Sequence, residues 1–238
     1  MSAYGEWLAY WNGDVSLYVG DTHLAAHYRG LFEDIEPLLP PAPFTLLDYG
    51  CGEALMAPAL VARGASVALY DAAEARTTAL ARTFAGIEGI SVVTDLDGLA
   101  GSRDLVLVIS VLQYVPKPDL PRLLEVLRRT LKPGGRLLIG DLVRPGSHVL
   151  RDVTALLGFG LRHGFLLRAL GGLARTLRSS YRRERARLGL AGYTPEEICA
   201  RLEEAGFDPR PLDWNIGHAG HRHSVVAMVR PKETAGGD

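Results

Sequence analysis

The chain has 238 residues, of which 47% are hydrophobic, and its formal net charge is −1. This length suits one α/β domain with an insertion or two small domains, and the apolar content is sufficient for an ordinary buried core. The near-zero charge argues against a chain that binds nucleic acid through its overall electrostatics.

The cysteines and the N-terminus further limit the class of protein and its compartment. Cys51 and Cys199 lie far apart and form no CxxC pair, so neither a disulfide framework nor a structural zinc site is expected. The N-terminus is acidic and aromatic, without the basic start and apolar core of a signal peptide. No apolar stretch approaches the roughly 20 residues that span a bilayer. We therefore expect a cytoplasmic protein.

Residues 1–43 are predicted to form a mostly helical N-terminal cover. The prolines that follow residue 39 break regular structure and mark its end. Its aromatic residues Trp7, Tyr10 and Trp11 have the spacing of a core stripe, with the wall of an apolar pocket as the alternative.

Between residues 44 and 144, short apolar strands alternate with helices. Strands that are apolar on both faces are typical of a parallel sheet covered by helices on both sides. The alternation indicates βαβ units with right-handed crossovers. Strands are predicted at 44–49, 66–70, 90–93, 104–110 and 136–141, and helices at 54–63, 73–84 and 118–131.

A basic helical stretch at residues 145–192, which we call the cap, interrupts this alternation. It holds nine arginines against Asp152 and Glu184, a net charge of +7. Four leucines and four arginines fall on opposite sides of a helical wheel, as in an amphipathic helix. Three interpretations stay open: a lid with solvated arginines, a funnel for an anionic substrate, or a helix that adsorbs to an acidic membrane surface. The residues of the wheel are Leu166, Leu170, Leu173 and Leu177 and Arg168, Arg175, Arg178 and Arg182.

Residues 193–231 are predicted to complete the core, and 232–238 form a tail. Thr194 is a good N-cap for a helix that ends at Gly206, because Pro195 suits the first turn and the two glutamates that follow suit the positive end of the helix dipole. Two final strands are predicted at 210–215 and 224–229.

The most informative motif is LLDYGCGEA at residues 46–54, an apolar strand that breaks into a glycine turn with acids. Gly50 and Gly52 let the backbone approach a ligand closely. Acids also close the next two predicted strands, at Asp71 and Asp95. A doubly wound sheet binds its ligand at the carboxyl ends of its strands, so the pattern predicts a nucleoside-type ligand whose ribose an acid holds.

A nicotinamide cofactor also uses such a turn and an acid. Here the turn reads DxGCGx rather than GxGxxG, and Asp48 precedes it. Glu53 is expected to start the next helix, where it would repel a pyrophosphate. A cofactor that carries an ammonium and a sulfonium group tolerates these acids, so a dehydrogenase is disfavoured.

Five motifs in this order resemble those of the class I S-adenosylmethionine (SAM)-dependent methyltransferases, specifically the small-molecule type that includes quinone-pathway enzymes. They cover residues 44–141, with a weaker likeness over 194–230, and Ala54 stands where many relatives have a third glycine. The resemblance implies an α/β fold with a doubly wound, seven-stranded, mostly parallel sheet (Rossmann-like), an N-terminal helical cover and a helical cap. The motifs are LLDYGCGEA, VALYDAAEA, VVTDLDGL, LVLVISVLQYV and LKPGGRLLIGDL.

The resemblance also implies which residues hold SAM. Asp48 and the backbone of Gly50 and Gly52 would face the methionine part of the cofactor. Asp71 would take the ribose hydroxyls.

Later strands and the N-terminal cover supply the other predicted cofactor contacts. The resemblance places Asp95 at the adenine amine with Leu96 beside the ring, and the carbonyl of Ser110 at the cofactor amine. Tyr28 is a candidate for a cation–π contact that covers the sulfonium, and Arg29 for an ion pair with the methionine carboxylate.

Histidines in the turn 217–222 are candidate bases. Methyl transfer from a sulfonium is an SN2 displacement, in which alignment and desolvation supply much of the rate, and an oxygen nucleophile usually also needs a base. His218 and His221 should lie at the cofactor edge, because the strand before them is expected to run parallel to the sheet. A solvated polar hairpin is the alternative. No metal is expected, since no carboxylate accompanies the histidines.

These residues predict methyl transfer from SAM to oxygen or nitrogen of a small, partly apolar molecule, which Gln113 and Tyr114 would orient. Ser110–Gln113 lacks the N/D-P-P-Y tetrapeptide of amino-methylating nucleic-acid enzymes, which argues against DNA as substrate. Two alternatives stay open. One is a lipid or isoprenoid-like substrate methylated at a membrane surface that the cap contacts, and the other is a non-catalytic SAM-binding accessory protein.

Overall fold

The computed structural model describes residues 3–13, 20–146, 149–163, 185 and 187–231. Within them lies a seven-stranded sheet in the order β3-β2-β1-β4-β5-β7-β6. Strand β7 runs antiparallel to both of its neighbours and the other six strands are mutually parallel, which confirms the predicted doubly wound sheet. The strands are β1 (Phe44–Tyr49), β2 (Ala65–Tyr70), β3 (Ile90–Val92), β4 (Arg103–Ile109), β5 (Leu131–Leu142), β6 (Phe207–Pro211) and β7 (His223–Val229).

Helices cover both faces of this sheet. Neighbouring strand residues point to opposite faces, so that Leu46 and Leu105 join one apolar cluster while Leu47 and Val106 join the other. Helices α2, α3 and α4 pack on the first face, and α5 and α7 on the second. The helices are α1 (Ala3–Trp11), α2 (Asp21–Ile35), α3 (Ala57–Ala62), α4 (Glu74–Thr83), α5 (Leu120–Thr130), α6 (Val149–Arg162) and α7 (Pro195–Glu204).

The fifth strand begins at Leu131 rather than at residue 136. Two other predicted boundaries were wrong, each for a local reason. The sixth strand is Phe207–Pro211 rather than 210–215. Prolines are tolerated there because β6 is an edge strand, where a missing N–H breaks no central ladder. The first helix of the core begins at Ala57 rather than at residue 54, because Ala54 has a φ of 50° and so cannot belong to a right-handed helix.

The C-terminal half of α1 lies at the carboxyl edge of the sheet. Trp7 and Trp11 contact Tyr114 after β4, with ring centroids 4.8 and 5.2 Å apart. Asn12, the residue after Trp11, accepts a hydrogen bond through its side chain from the Ala75 N–H after β2, at 3.1 Å. Because β1 lies between β2 and β4, this end of α1 lies near the glycine turn that follows β1.

Only part of the cap is described. Helix α6 lies in it, and Arg187 pairs with Glu6 of α1 at 2.7 Å. The predicted amphipathic helix around residues 166–182 lies outside the described residues. In the part of the chain that the structure does cover, no helix is both long and apolar enough to cross a membrane.

The predicted N-cap of α7 is confirmed, since the Thr194 hydroxyl accepts a hydrogen bond from the Glu197 N–H at 3.1 Å. We expect Thr194→Ala to lower the free energy of unfolding by about 1 kcal/mol, because this N–H then loses its acceptor. Thr194→Ser keeps the hydroxyl and serves as the matched control. Urea unfolding measures both variants, and equal stability of the alanine variant and the wild type would contradict the assignment.

Candidate cofactor and substrate site

The glycine turn lies at the switch point of the sheet. The chain goes from β1 to β2 and β3 on one side, then crosses to β4 and β5 on the other, which opens the crevice between β1 and β4. Gly50 and Gly52 have φ values of 72° and 57°, which favour glycine. A Cβ on Gly50 would lie 2.5 Å from a methyl group of Val111, so the turn is packed against the segment after β4. The turn therefore has no room for a side chain at Gly50.

Helix α2 holds this turn through Tyr28. The buried phenol donates a hydrogen bond to the Cys51 carbonyl at 3.2 Å and accepts one from the Glu53 N–H at 2.8 Å. Its contact with a sulfonium remains a prediction. Arg29 is exposed, one residue and therefore about 100° further round the helix. The structure does not bring Arg29 to the turn beside Tyr28, and its ion pair with the cofactor carboxylate also remains a prediction.

Asp71 reaches the same turn from the end of β2. One carboxylate oxygen accepts a hydrogen bond from the Gly52 N–H at 3.2 Å and the other accepts one from the Ala73 N–H at 2.9 Å. An ionised carboxylate has further lone pairs, so both oxygens can still accept ribose hydroxyls. Glu53 does not start a helix, since α3 begins at Ala57, and its carboxylate pairs with Arg76. Because this pair offsets the negative charge of Glu53, the predicted repulsion of a pyrophosphate is a weaker argument against a nicotinamide cofactor.

Asp48 is the unusual group of the site. Its side chain is buried at the end of β1 and one carboxyl oxygen has no hydrogen-bond partner. Burial, followed by the charge of Asp71, raises the pKa of Asp48 to about 7. A buried, unpaired oxygen beside the glycine turn fits a cofactor that carries positive charge.

Asp95 and Leu96 lie beyond β3, at the same edge of the sheet. Asp95 is exposed and accepts a hydrogen bond from the Asp97 N–H at 3.0 Å, at the start of a short 3₁₀ helix. Leu96 is half-buried against the apolar cluster of the α5 face. Their contacts with an adenine ring remain predictions.

Ser110 belongs to a polar network that the sequence did not reveal. Ser110, directly after β4, and Asp141, near the end of β5, have φ values of 57° and 59°, a strained conformation for residues other than glycine. The Ser110 hydroxyl donates to Asp141 at 2.6 Å. The same carboxylate pairs with Arg222 at 2.7 Å and accepts from the Asn215 amide at 3.3 Å. The network ties the ends of two central strands to the histidine turn.

Asn215 also shapes the turn itself, since its amide donates to the carbonyls of Gly217 and Ala219 at 3.3 and 3.1 Å. The sequence could have indicated this network through Asp141, because it lies at the end of a predicted strand, as the acids Asp48 and Asp71 do.

The histidine turn lies at the cofactor edge, as predicted, because β6 runs parallel to β5. His218 is exposed, and its ring lies 5.0 Å from that of Phe159 in a stacked arrangement. It also lies 5.9 Å from His27 and 6.4 Å from His23, between ring centroids. Helices α2 and α6 therefore contact the candidate base.

The two histidines of α2 are neutral at pH 7. Burial, followed by the charge of His218, lowers the pKa of His27 to about 3 and that of His23 to about 4. His221 is half-buried in the same turn. Among the described residues no group of three or more possible ligands could hold a metal ion. The arrangement is suited to one proton acceptor, His218, beside two uncharged imidazoles.

Gln113 and Tyr114 lie in the short helix that follows β4. Gln113 is buried, and Tyr114 lies between the two tryptophans of α1. Trp7 is itself buried, which supports the core stripe for this residue, and the wall of an apolar pocket remains a prediction. Their contact with a substrate remains a prediction.

A family model described as a methyltransferase domain matches residues 23–212. The chain belongs to this family. With it, the prediction of a SAM-dependent methyltransferase is confirmed, and SAM is the cofactor. The unpaired Asp48 oxygen fits this cofactor, which Asp48, Asp71 and the glycine turn would hold.

Relatives and solved structures agree with this assignment. The ubiquinone biosynthesis O-methyltransferase of Roseobacter denitrificans is 29% identical over 215 residues, 82% of this chain and 77% of that protein. The enzyme of the same name from Idiomarina loihiensis is 33% identical over 117 residues, 46% of this chain and 47% of that protein. The structure of Burkholderia thailandensis 1,6-didemethyltoxoflavin-N1-methyltransferase has a TM-score of 0.55 at 18% identity, over 97% of this chain and 85% of that one.

Asp48 makes the stability of the cofactor-free enzyme depend on pH. Its pKa rises from 3.8 to about 7 on folding, so its stabilising contribution is complete below pH about 4 and is lost as the pH rises through about 7. We expect Asp48→Asn to gain stability relative to the wild type between pH 4 and pH 8, by up to about 4 kcal/mol. Urea unfolding across this range measures the difference. Asp95→Asn, at an exposed carboxyl, is the control, and parallel profiles for Asp48→Asn and the wild type would refute the assignment.

Tyr28→Phe removes the phenol that holds the glycine turn. The Cys51 carbonyl and the Glu53 N–H then lose their partner, at a cost of about 1–3 kcal/mol. We expect the Kd for S-adenosylhomocysteine to rise roughly 10-fold, which corresponds to about 1.4 kcal/mol. Calorimetric titration measures the Kd, and circular dichroism checks that the variant is folded. An unchanged Kd would show that cofactor binding does not depend on this contact.

Proposed function

We propose that this enzyme transfers the methyl group of SAM to a hydroxyl oxygen of a small, partly apolar aromatic molecule. The observation that carries the proposal is the placement of His218: an exposed imidazole at the cofactor edge, stacked on Phe159 and beside two neutral histidines. SAM, when bound, supplies an electrophilic methyl group on a sulfonium. The residues of the chain have to orient the acceptor, exclude water and remove the hydroxyl proton.

His218 is suited to the proton-removal step. A phenolic hydroxyl has a pKa of about 10, so it is a weak nucleophile at neutral pH unless a base takes its proton. Burial, followed by the charge of His218, lowers the pKa values of His23 and His27, so these two imidazoles are weak proton acceptors, and His218 is the one of the three that is exposed. The network of Asp141 and Asn215 supports the position of this ring, because it holds the turn that carries it.

Aromatic side chains support a planar acceptor. Trp7, Trp11 and Tyr114 lie on the β4 side of the site, and Phe159 lies on the His218 side. Aromatic rings provide large apolar contact and stack on other rings. An acceptor between these two groups would have an apolar ring enclosed while its hydroxyl reaches the base.

Other features bear on the alternatives. Two relatives are named as O-methyltransferases, which favours oxygen over nitrogen as the acceptor, and family membership favours an enzyme over a non-catalytic accessory protein.

The membrane interpretation depends on the amphipathic helix around 166–182, which lies outside the described residues. It remains a prediction that liposome flotation tests. We also propose a cytoplasmic location, which the two free cysteines support because reducing compartments keep thiols unpaired.

The test compares hydroxyl and amine acceptors of similar shape. We expect methyl transfer to catechol and not to aniline, as detected by mass spectrometry of the product. His218→Ala should lower kcat roughly 10²–10⁴-fold, the usual contribution of a general base. The Kd for S-adenosylhomocysteine should be unchanged.

The control variant is His221→Ala, in the same turn but outside the ring contacts described for His218, which should lower kcat less. Full activity of His218→Ala would refute its role as the base. Transfer to aniline alone would refute the hydroxyl acceptor.

A further inference from the structure

The turn that carries His218 has a glycine directly before this histidine. Gly217 has a φ of 119°, a backbone conformation that other residues rarely adopt. Glycine has the largest conformational freedom of all residues, so contacts with neighbouring groups have to fix its peptide groups. What holds Gly217 therefore determines where His218 lies.

The peptide groups on both sides of Gly217 have partners. A carboxylate oxygen of Asp34, near the end of α2, accepts a hydrogen bond from the Gly217 N–H at 2.8 Å. On the other side, the Asn215 amide donates to the Gly217 carbonyl at 3.3 Å. Asn215 lies two residues before Gly217, whereas Asp34 lies 183 residues away in the sequence. Asp34 thus joins the residue before His218 to a helix that packs on the sheet.

We infer that Asp34 is a positioning residue, which sets the location of His218 by holding Gly217. The inference rests on the proposed function, in which His218 takes the proton of the acceptor hydroxyl. Asp34 acts through the turn, so its role differs from that of the base itself.

Helix α2 carries Asp34 on the same face as the two histidines that contact His218. His27 and Asp34 come four and eleven residues after His23. At about 100° per residue, this spacing places the three side chains within about 40° of one another around the helix. The ring centroids of His27 and His23 lie 5.9 and 6.4 Å from that of His218. One face of α2 therefore contacts both the ring of the base and the backbone before it.

The end of α2 is itself held near this turn. The Trp214 indole N–H donates to the Asp34 carbonyl at 3.3 Å, so Asp34 accepts hydrogen bonds through its backbone and its side chain. Burial raises the pKa of Asp34, and the hydrogen bond from Gly217 opposes this shift. A hydrogen bond to a partly desolvated carboxylate is stronger than one at the surface, because water competes less for the acceptor. The bond is therefore suited to hold a glycine peptide in one place.

The same helix also holds the cofactor turn. The Tyr28 hydroxyl bonds the backbone of residues 51 and 53. Because Tyr28 and Asp34 belong to one helix, a single rigid element supports both the glycine turn and the turn of the base. Such support keeps catalytic groups at a productive distance from the reacting atoms. Loss of the Asp34 contact should therefore lower turnover and leave cofactor binding unchanged.

The experiment follows His218 both directly and through turnover. In enzyme with isotope-labelled histidine, the NMR signal of the His218 Cε1–H is assigned by its absence in His218→Ala. We expect Asp34→Ala to shift this signal with S-adenosylhomocysteine bound. The same variant should lower kcat for catechol roughly 10–100-fold, since a misplacement of about 1 Å costs about 100-fold. The Kd for S-adenosylhomocysteine should stay the same.

Two further variants separate the position of the carboxylate from its charge. Asp34→Asn keeps an oxygen that can accept the Gly217 N–H, so it should recover most of kcat and the wild-type signal. Asp34→Glu keeps the charge but adds a methylene, so it should resemble Asp34→Ala, and it replaces that variant if circular dichroism shows that alanine unfolds the protein. Adding Asp34→Ala to His218→Ala should cause no further loss of kcat, because both changes act through one group.

The matched control is Glu33→Ala, which removes the exposed carboxylate next to Asp34 on the same helix and should change neither the signal nor kcat. An unshifted His218 signal in Asp34→Ala, or an equal shift in Glu33→Ala, would overturn the inference. So would a loss of kcat that adds in full to that of His218→Ala. A shifted signal in Asp34→Ala together with full activity of His218→Ala would support the anchoring by Asp34 and count against the proposed function.

Discussion

The turn after β1 has to pack against three neighbours while leaving its backbone open to a ligand. Val111 leaves no space for a side chain at Gly50, and Asp71 accepts a hydrogen bond from the Gly52 N–H. The Tyr28 hydroxyl bonds the carbonyl of residue 51 and the N–H of residue 53. These contacts come from the segments after β4 and β2 and from α2, so one short turn joins three elements of the fold at the crevice between β1 and β4. Asp48, buried beneath the turn with an unpaired oxygen, adds an electrostatic requirement that a cationic cofactor meets.

Features that depend on neighbours in sequence could be predicted. The strand at 44–49, the glycine turn and the cap at Thr194 are local patterns, and the structure contains them. Errors arose where tertiary context outweighs a local rule. Prolines are disfavoured in a central strand because they lack an N–H, but β6 lies at the edge of the sheet, where they are tolerated. Ala54 adopts a left-handed conformation, so the helix begins three residues later than its composition indicates.

Features that depend on distant contacts could not be predicted. Asn12 and Ala75 are 63 residues apart, and the turn that carries His218 lies nearly two hundred residues after the helix that supplies His23 and His27. No spacing rule connects such positions. The sequence identified the acids that end the strands because parallel strands place these ends at one edge. It did not identify the imidazoles around His218, because a helix and a distant turn bring those residues together.

The central claim is that the edge between β1 and β4 binds SAM through Asp71 and the glycine turn. The most direct measurement is calorimetric titration of the enzyme and of Asp71→Asn with S-adenosylhomocysteine, with NADH as the competing ligand. The account predicts one site with a micromolar Kd for the wild type, no response to NADH, and a large loss of affinity in the variant. Equal affinity of the variant and the wild type, or binding of NADH in place of S-adenosylhomocysteine, would contradict it.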